Sequence, residues 1–505
     1  MSDTGAGRPG ARPPRGKRGP QGGGNTNRSG GGNSGRGSGG NARRGGGGNA
    51  ARRTRPATAA PRADSRSVAL AVLTAVRERD AYANLALPAE LRSARLDARD
   101  AALATELTYG TLRARGLLDR VIALAADRPV SEIDPPVLDL LRLGAYQLLY
   151  TRIGAHAAVD TTVEMARTLG LGRAGAFVNA VLRTVGRTTA DEWVERLRSA
   201  ETDPVARLAV GTAHPEWIAR AFADALGADA GELPELLAAD DARPQVHLAA
   251  RPGAMTAEEL ALVTGGRQGR LSPYAVYLDS GSPGELEPVT QGLAAVQDEG
   301  SQLVALACSR LPVDGPDGGR WLDLCAGPGG KAAMLGALAD IEGGTLTAVE
   351  PAAHRAELVR GATRELPVEV LVADGRDTGL EPGFDRVLVD APCSGLGALR
   401  RRPESRWRRT PADVTGLVPL QRELLTAALE LVRPGGVVLY ATCSPHLAET
   451  VSVVRETARR GDVEQLDVRA VLPEVTPSGP GPWLQLWPHR HGTDAMFLAG
   501  LRRTS

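Results

Sequence analysis

The sequence predicts three folded parts: an α/β domain built on a parallel sheet over 291–505, preceded by an all-α domain over 65–203 and a small α+β domain over 204–290. Three observations carry this reading. From about Gly292, apolar runs of strand length alternate with segments of helical period, as in a parallel sheet covered by helices on both faces. A Gly-rich turn, DLCAGPGGK from Asp323, joins a strand to a helix. Between Ser65 and about Ala200, apolar residues recur at three- and four-residue spacing.

The first 64 residues stand apart. They hold 13 Lys and Arg against Asp3 and Asp64, a surplus of 11 positive charges, and 19 of the 61 glycines. So few apolar groups cannot offset the entropy of ordering, and the segment reads as a disordered tail. An Arg-rich tail gains from displacing counterions around phosphates, so a loose tether to RNA and a plain solubilising extension both fit. The remaining chain carries 47 basic and 57 acidic residues.

The elements follow in order. Asp64 and Ser65 can cap a helix from Arg66. RDAALATELTYGTLRARG, PPVLDLLRLGAYQLLY, HAAVDTTVEMARTLG and GRAGAFVNAVLRTVG are amphipathic helices. HPEWIARAFADALG is a helix, PQVHLAARP a short strand and TAEELALVTGG a capped helix. LAAVQDEGSQLVALAC reads as helical. Strands are then expected to end at Asp323, Glu350, Asp374, Asp390 and near Cys443. Open α/β sheets bind ligands at the carboxyl ends of their strands, where these residues fall.

No apolar run follows the basic start, so no signal peptide is expected, and SVALAVLTAV is far shorter than the roughly 20 residues of a membrane span. The four cysteines, Cys308, Cys325, Cys393 and Cys443, form no CxxC pair, which argues against zinc or any other metal. Free thiols suit a reducing, cytoplasmic compartment.

The Gly turn spans Cys325, Ala326, Gly327, Pro328, Gly329, Gly330 and Lys331. It fits neither GxGxxG nor GxxxxGK[ST], since Ala332 follows the lysine. Glu350 at the next strand end suits a ribose diol, and Asp374 can receive an adenine amino group. This set favours S-adenosylmethionine over a dinucleotide, although any one of these acids alone is equally well an ordinary capping residue.

A lone free cysteine is usually a small buried hydrophobe. Here APCSG at Cys393 and ATCSP at Cys443 both lie just past strand ends, beside Pro392, Ser394 and Ser444. A thiolate adding to carbon 6 of cytosine makes carbon 5 nucleophilic, and a base must then take the carbon 5 proton before the thiolate leaves. Asp390, beside Cys393, is placed to bond the ring edge. Cys308, on a helix, and Cys325, within the turn, are assigned structural roles.

DLCAGPGGK, VDAPCSGLG and YATCS, with VQDEGSQ upstream, resemble the RNA cytosine-5 methyltransferases. ELTYGTLR, LLRLGAYQLLY and FVNAVLR look like an RNA-binding domain of the NusB type. The combination, over about 65–503, is similar to the ribosomal RNA small-subunit methyltransferase B (Sun or Fmu) family. The resemblance implies a Rossmann-like domain that methylates 16S ribosomal RNA before the subunit is fully assembled, acting as a monomer without a membrane. It implies Cys443 as nucleophile and Cys393 as the releasing residue; DNA cytosine-5 methyltransferases use the PC cysteine as nucleophile and would swap the two. It also implies a cofactor site lined by Cys325 to Lys331, Glu350, Asp374 and Asp390. Gly327 and Glu350 depart from the commoner Ala and Asp. The loop RRRPESRW places Arg400 to Arg402 for phosphate, and PQVHLAARPG matches less well. A transfer RNA cytosine-5 methyltransferase shares the chemistry. A non-catalytic NusB-like antitermination protein would explain 65–200 but not the cysteines, and a dehydrogenase would give Cys443 no role.

Overall fold

The computed structural model describes residues 64–505 except 280, 282 and 478, so the basic tail lies outside the described residues. The helical part begins one residue earlier than the sequence suggests. Asp64 caps the helix Ser65–Glu78 in a reciprocal capping box with Ser67. Further helices follow, and Val72, Leu107, Leu118, Leu140, Val178 and Leu182 form their common core.

The middle region divides differently from the reading at 204–290. Helices Pro204–Gly211, Glu216–Leu226 and Leu233–Asp241 pack with Leu396, Leu399 and Trp487 of the α/β domain rather than with a sheet of their own. The strands β1 (Val246–Ala250), β2 (Arg267–Gln268), β3 (Ala275–Leu278) and β4 (Ala294–Val296) form an antiparallel sheet in the order β2-β3-β1-β4. The helix Ala257–Thr264 crosses between them, closed by a capping box of Thr256 and Glu259. LAAV, expected to be helical, is β4. It pairs with β1 through Leu248–Val296 and Ala250–Ala294. The unsatisfied edge of β1 outweighs the helix propensity of two alanines. The helix starts only at Glu299, where Asp298 accepts the Gly300 N–H at 2.9 Å.

The second sheet contains β5 (Arg320–Asp323), β6 (Thr345–Val349), β7 (Val368–Leu371), β8 (Phe384–Asp390), β9 (Val432–Thr442), β10 (Val463–Leu466), β11 (Leu484–Gln485) and β12 (Phe497–Arg503). Its order is β10-β12-β9-β8-β5-β6-β7, with β11 paired to β12. The strands from β7 to β9 are parallel, and β12 runs antiparallel to both β9 and β10. Helices Glu299–Arg310 and Gly330–Ile341 contribute to the core that buries Leu388 and Leu439; Pro411–Leu431 contributes to the core that buries Val387, Val389 and Tyr440. Strands covered on both faces read as continuous apolar runs, which is why VLV of β8 and VVLYA of β9 were legible. Strand order reverses between β5 and β8, so their carboxyl ends, Asp323 and Asp390, open the crevice where such sheets bind ligands.

Candidate functional site

The Gly turn leaves β5 and is pinned by its own backbone. Ala326 N–H donates to Val349 O of β6 at 2.9 Å, and Gly329 N–H to Ala326 O at 2.8 Å. Gly329 has φ +112°, and a Cβ there would stand 2.8 Å from Ala362 Cβ and 3.0 Å from Val359 Cα. Only glycine fits, and the helix Gly330–Ile341 starts without a side-chain cap, which leaves its first N–H groups unclaimed by one. Two buried side-chain atoms lack a hydrogen-bond partner here: Asp323 Oδ2 and Gln297 Nε2. The Gln297 amide nitrogen lies 3.8 Å from where a Cβ on Gly330 would stand. A Gly-lined cradle with one spare buried acceptor and one spare buried donor fits a polar, nucleotide-like ligand. Burial, followed by repulsion from Asp390, pushes the Asp323 carboxyl up to about 7.

Glu350 follows β6 and is buried. Its Oε1 accepts the Ala352 N–H at 3.0 Å, and its Oε2 lies 3.3 Å from Arg355 Nη2. Arg355 Nη2 also donates to Gly327 O at 2.7 Å. A Cβ on Gly327 would stand 2.1 Å from Glu350 Oε2. The two departures from the commoner pattern thus compensate: the longer acid occupies the volume that a methyl at 327 would need.

Asp374 precedes Gly375, where a Cβ would stand 2.9 Å from Leu324 O of the Gly turn, so its backbone passes beside this group. β7 ends at Leu371, and a tight turn bridges Asp374 to Asp377. Its carboxylate is exposed and bound by Arg376, with Nη2 to Oδ2 at 2.6 Å, which holds it down to about 2; Arg376 in turn pairs with Glu423.

Lys331 crosses the crevice. Its Nζ lies 2.9 Å from Asp390 Oδ2 and donates to Ser301 Oγ at 3.2 Å. Burial alone would depress this ammonium, but Asp390 outweighs burial and raises it. Among the described residues Asp390 Oδ1 makes no hydrogen bond or ion pair.

The two cysteines meet at the ends of the neighbouring parallel strands β8 and β9, registered through Asp390–Ala441. Their sulfurs are 3.4 Å apart, and both residues are partly exposed. Contact with Cys393 lowers the Cys443 thiol, helped by Lys331 and Arg402 against burial and Asp390. Contact with Cys443, burial, Glu449 and Asp390 all push the Cys393 thiol well above its ordinary value. The contact between the two sulfurs thus shifts the thiols in opposite directions, Cys443 down and Cys393 up. Cys308 is fully buried and raised to about 12 by burial, while Cys325 is raised chiefly by burial and then by Asp323.

The loop after Cys393 corrects one expectation. Arg400 is buried, with Nε 2.8 Å from Asp494 and Nη2 3.2 Å from Asp298. Arg401 pairs with the same acids at 2.6 Å to Asp298 and 3.1 Å to Asp494. Neither guanidinium is available for phosphate, because two buried carboxylates claim both. Arg402 alone of the three is exposed, stacked at 5.0 Å over the Tyr82 ring. Further on, Arg406 is fully buried against Asp240 (3.1 Å) and Asp241 (2.8 Å), while His214 Nε2 lies 2.9 Å from Asp240 Oδ2. Glu404 accepts the Ala83 N–H at 3.0 Å, and Arg408 donates to Val76 O, Asp80 O and Ala81 O. The segment 403–408 is a wedge bound to the helical domain on one side and to the helix Leu233–Asp241 on the other.

The sequence reading missed Gln421 and Glu449, which lie at the site without a motif of their own, and gave no role to Gln297 within VQDEGSQ. Gln421 lies on the helix Pro411–Leu431, whose apolar period drew attention away from its one buried amide.

Comparison with known proteins agrees with this fold. The model of the family 16S rRNA methyltransferase RsmB/F matches residues 312–502, and that of the NusB family matches 63–187. A protein of Mycobacterium tuberculosis that bears the name of a methyltransferase is 62% identical over 454 residues, covering 89% of this chain and 99% of its own. The ribosomal RNA small subunit methyltransferase B of Pseudomonas putida is 34% identical over 451 residues, covering 86% of this chain and 98% of its own. The crystal structure of PH0851 shares the fold at a TM-score of 0.73 and 20% identity, over 87% of this chain and 98% of that one. No helix among the described residues is long and apolar enough to cross a membrane. A NusB-type helical domain, a mostly parallel methyltransferase sheet and paired cysteines at the ends of two neighbouring strands occur here in one chain, which belongs to the ribosomal RNA small-subunit methyltransferase family of the RsmB/F type.

Proposed function

We propose that the chain methylates carbon 5 of a cytosine in 16S ribosomal RNA with S-adenosylmethionine, using Cys443 as nucleophile and Cys393 to release the product. The single observation that carries this is the 3.4 Å pair of sulfurs at two parallel strand ends, with Lys331 and Arg402 acting to lower Cys443. S-adenosylmethionine supplies an electrophilic methyl group. The Cys443 thiolate adds to carbon 6 of the ring, and the electron pair released at carbon 5 takes that methyl. Asp390, with its free Oδ1, bonds the ring edge, while Lys331 balances the charge of Asp390 and of the thiolate. Once Cys443 is bonded to carbon 6, Cys393 gives its thiol proton to solvent and as thiolate takes the carbon 5 proton; the C–H electron pair restores the ring double bond and Cys443 leaves as thiolate. Glu350 holds the ribose, Asp323 and Gln297 line the rest of the cradle, and Arg402 meets a phosphate at the mouth.

Two measurements test this. Bisulfite sequencing of ribosomal and transfer RNA from a deletion strain identifies the substrate; loss of a mark from transfer RNA alone sinks the ribosomal reading. Cys393→Ala is expected to accumulate a denaturant-resistant protein–RNA complex that Cys393→Ala/Cys443→Ala lacks. An adduct formed by Cys443→Ala instead reverses the roles.

The compensation at Gly327 gives a second expectation. Gly327→Ala should displace the Glu350 carboxylate and weaken S-adenosylmethionine binding by about tenfold, the cost of one hydrogen bond to a charged group. Adding Glu350→Asp, one methylene shorter, should restore most of the affinity. Calorimetric titration of the three proteins decides it, and no recovery in the double variant refutes the pairing.

A further inference from the structure

We propose that Glu449 is a positioning residue for both cysteines: one buried carboxylate binds the residue that follows each of them, and so fixes the separation and the order of the two thiols. The proposal rests on the roles given above to Cys443 and Cys393.

Cys393 and Cys443 lie 50 residues apart on loops leaving different strands. Glu449 sits in the turn beyond β9, fully buried. Its Oε1 accepts the Ser394 backbone N–H at 2.7 Å and Gln421 Nε2 at 3.1 Å. Its Oε2 accepts the hydroxyls of Ser394 at 2.5 Å and Ser444 at 2.6 Å. Its own carbonyl accepts the Tyr440 hydroxyl at 2.7 Å, anchoring it to β9. Gln421 also donates to Pro392 O at 2.9 Å, so the residue before Cys393 is held as well. Ser394, Ser444 and Gln421 are all buried. Four donors converge on one ionisable group, and hydrogen bonds to a charged acceptor are roughly twice as strong as neutral ones. Without the carboxylate, the Ser394 N–H and two hydroxyls would be stranded in a dry site.

The same group breaks the symmetry between the sulfurs. Its charge adds to the burial that raises Cys393, whereas Lys331 and Arg402 act on Cys443 in the opposite direction. A purely structural residue would hold the loops without distinguishing the thiols. Glu449 does both, because its carboxylate is anchored beside the residue that follows Cys393.

Competitive alkylation of the full-length protein with iodoacetamide, read by peptide mass spectrometry without RNA, tests the electrostatic half. Cys443 is expected to react first in the native protein. In Glu449→Gln the rate at Cys393 should rise relative to Cys443, because one of the charges that raises the Cys393 thiol is gone. Single-turnover assays test the geometric half: the same variant should lower kcat more than KM and leave more protein in the covalent RNA adduct. An unchanged alkylation ratio together with an unchanged adduct fraction overturns the proposal. A fully active Cys443→Ala would instead overturn the assigned roles, while the alkylation shift in Glu449→Gln would still report on the hold over the thiols. If Glu449→Gln does not fold, Ser444→Ala removes one tether and keeps the charge. It should preserve the order of alkylation and raise the adduct fraction, and an adduct fraction equal to the native one refutes the positioning role.

Discussion

Cys443→Ala is expected to lose methyl transfer by roughly 10⁴-fold or more, the scale on which enzymes lose turnover with their nucleophile. S-adenosylmethionine affinity should stay the same. Lys331 keeps its ion pair with Asp390 when the thiolate is gone, and the Gly turn does not touch residue 443 through any hydrogen bond. Calorimetric titration beside a tritium-transfer assay separates the two effects. Turnover near the native rate rules out the thiolate mechanism at this position. The native enzyme carries a related signature: with the Cys443 thiol held below its ordinary value, the acid limb of its pH–rate profile should lie below the titration of a free cysteine.

The second large effect concerns stability. Arg406→Ala should destabilise the fold by about 3–5 kcal/mol, because it removes one partner of a buried ion pair and strands the other. Burial would push Asp240 up, but Arg406 and His214 outweigh it and hold the carboxyl below its ordinary value. In the native protein this stabilisation is therefore present above the unfolded pKa and is lost as pH falls through the folded one. In the variant the sign reverses. The carboxyl, left with His214 as its main partner against burial, is raised, its ionisation opposes folding, and the deficit shrinks as the medium is acidified. Urea denaturation at neutral and mildly acidic pH checks both parts; a deficit that grows on acidification contradicts the account.

What the sequence made legible was whatever a single strand end could announce. Asp323, Glu350, Asp390, Cys393 and Cys443 each close an apolar run, and the sheet places every one of them at its carboxyl edge. The 3.4 Å approach of two sulfurs from neighbouring strands depends on strand order and register, which local periodicity does not encode. Asp374 was read as a strand end, but β7 stops at Leu371 and Arg376 pairs with its carboxylate. Arg400 and Arg401 misled because a run of arginines looks solvated until Asp298 and Asp494 arrive from distant parts of the chain. Glu449 gave no signal at all, since a single glutamate in a turn is ordinary until its four donors are counted. The strand β4 was hidden by alanines whose conformation is decided by the neighbour they pair with.

The wedge at 403–408 bears on how this molecule can be taken apart. Boundaries drawn along the sequence suggest that the catalytic half could be expressed without the helices before it. Such a fragment would keep Glu404 and Arg408 but lose the Ala83 amide and the Val76, Asp80 and Ala81 carbonyls that receive them. Those orphaned groups sit on the chain that runs directly out of the Cys393 loop. Inactivity of the fragment would therefore say nothing about whether the helices bind RNA, since their absence already disturbs the catalytic loop. Dissection by surface substitution within the intact chain is the cleaner route to the helices' contribution.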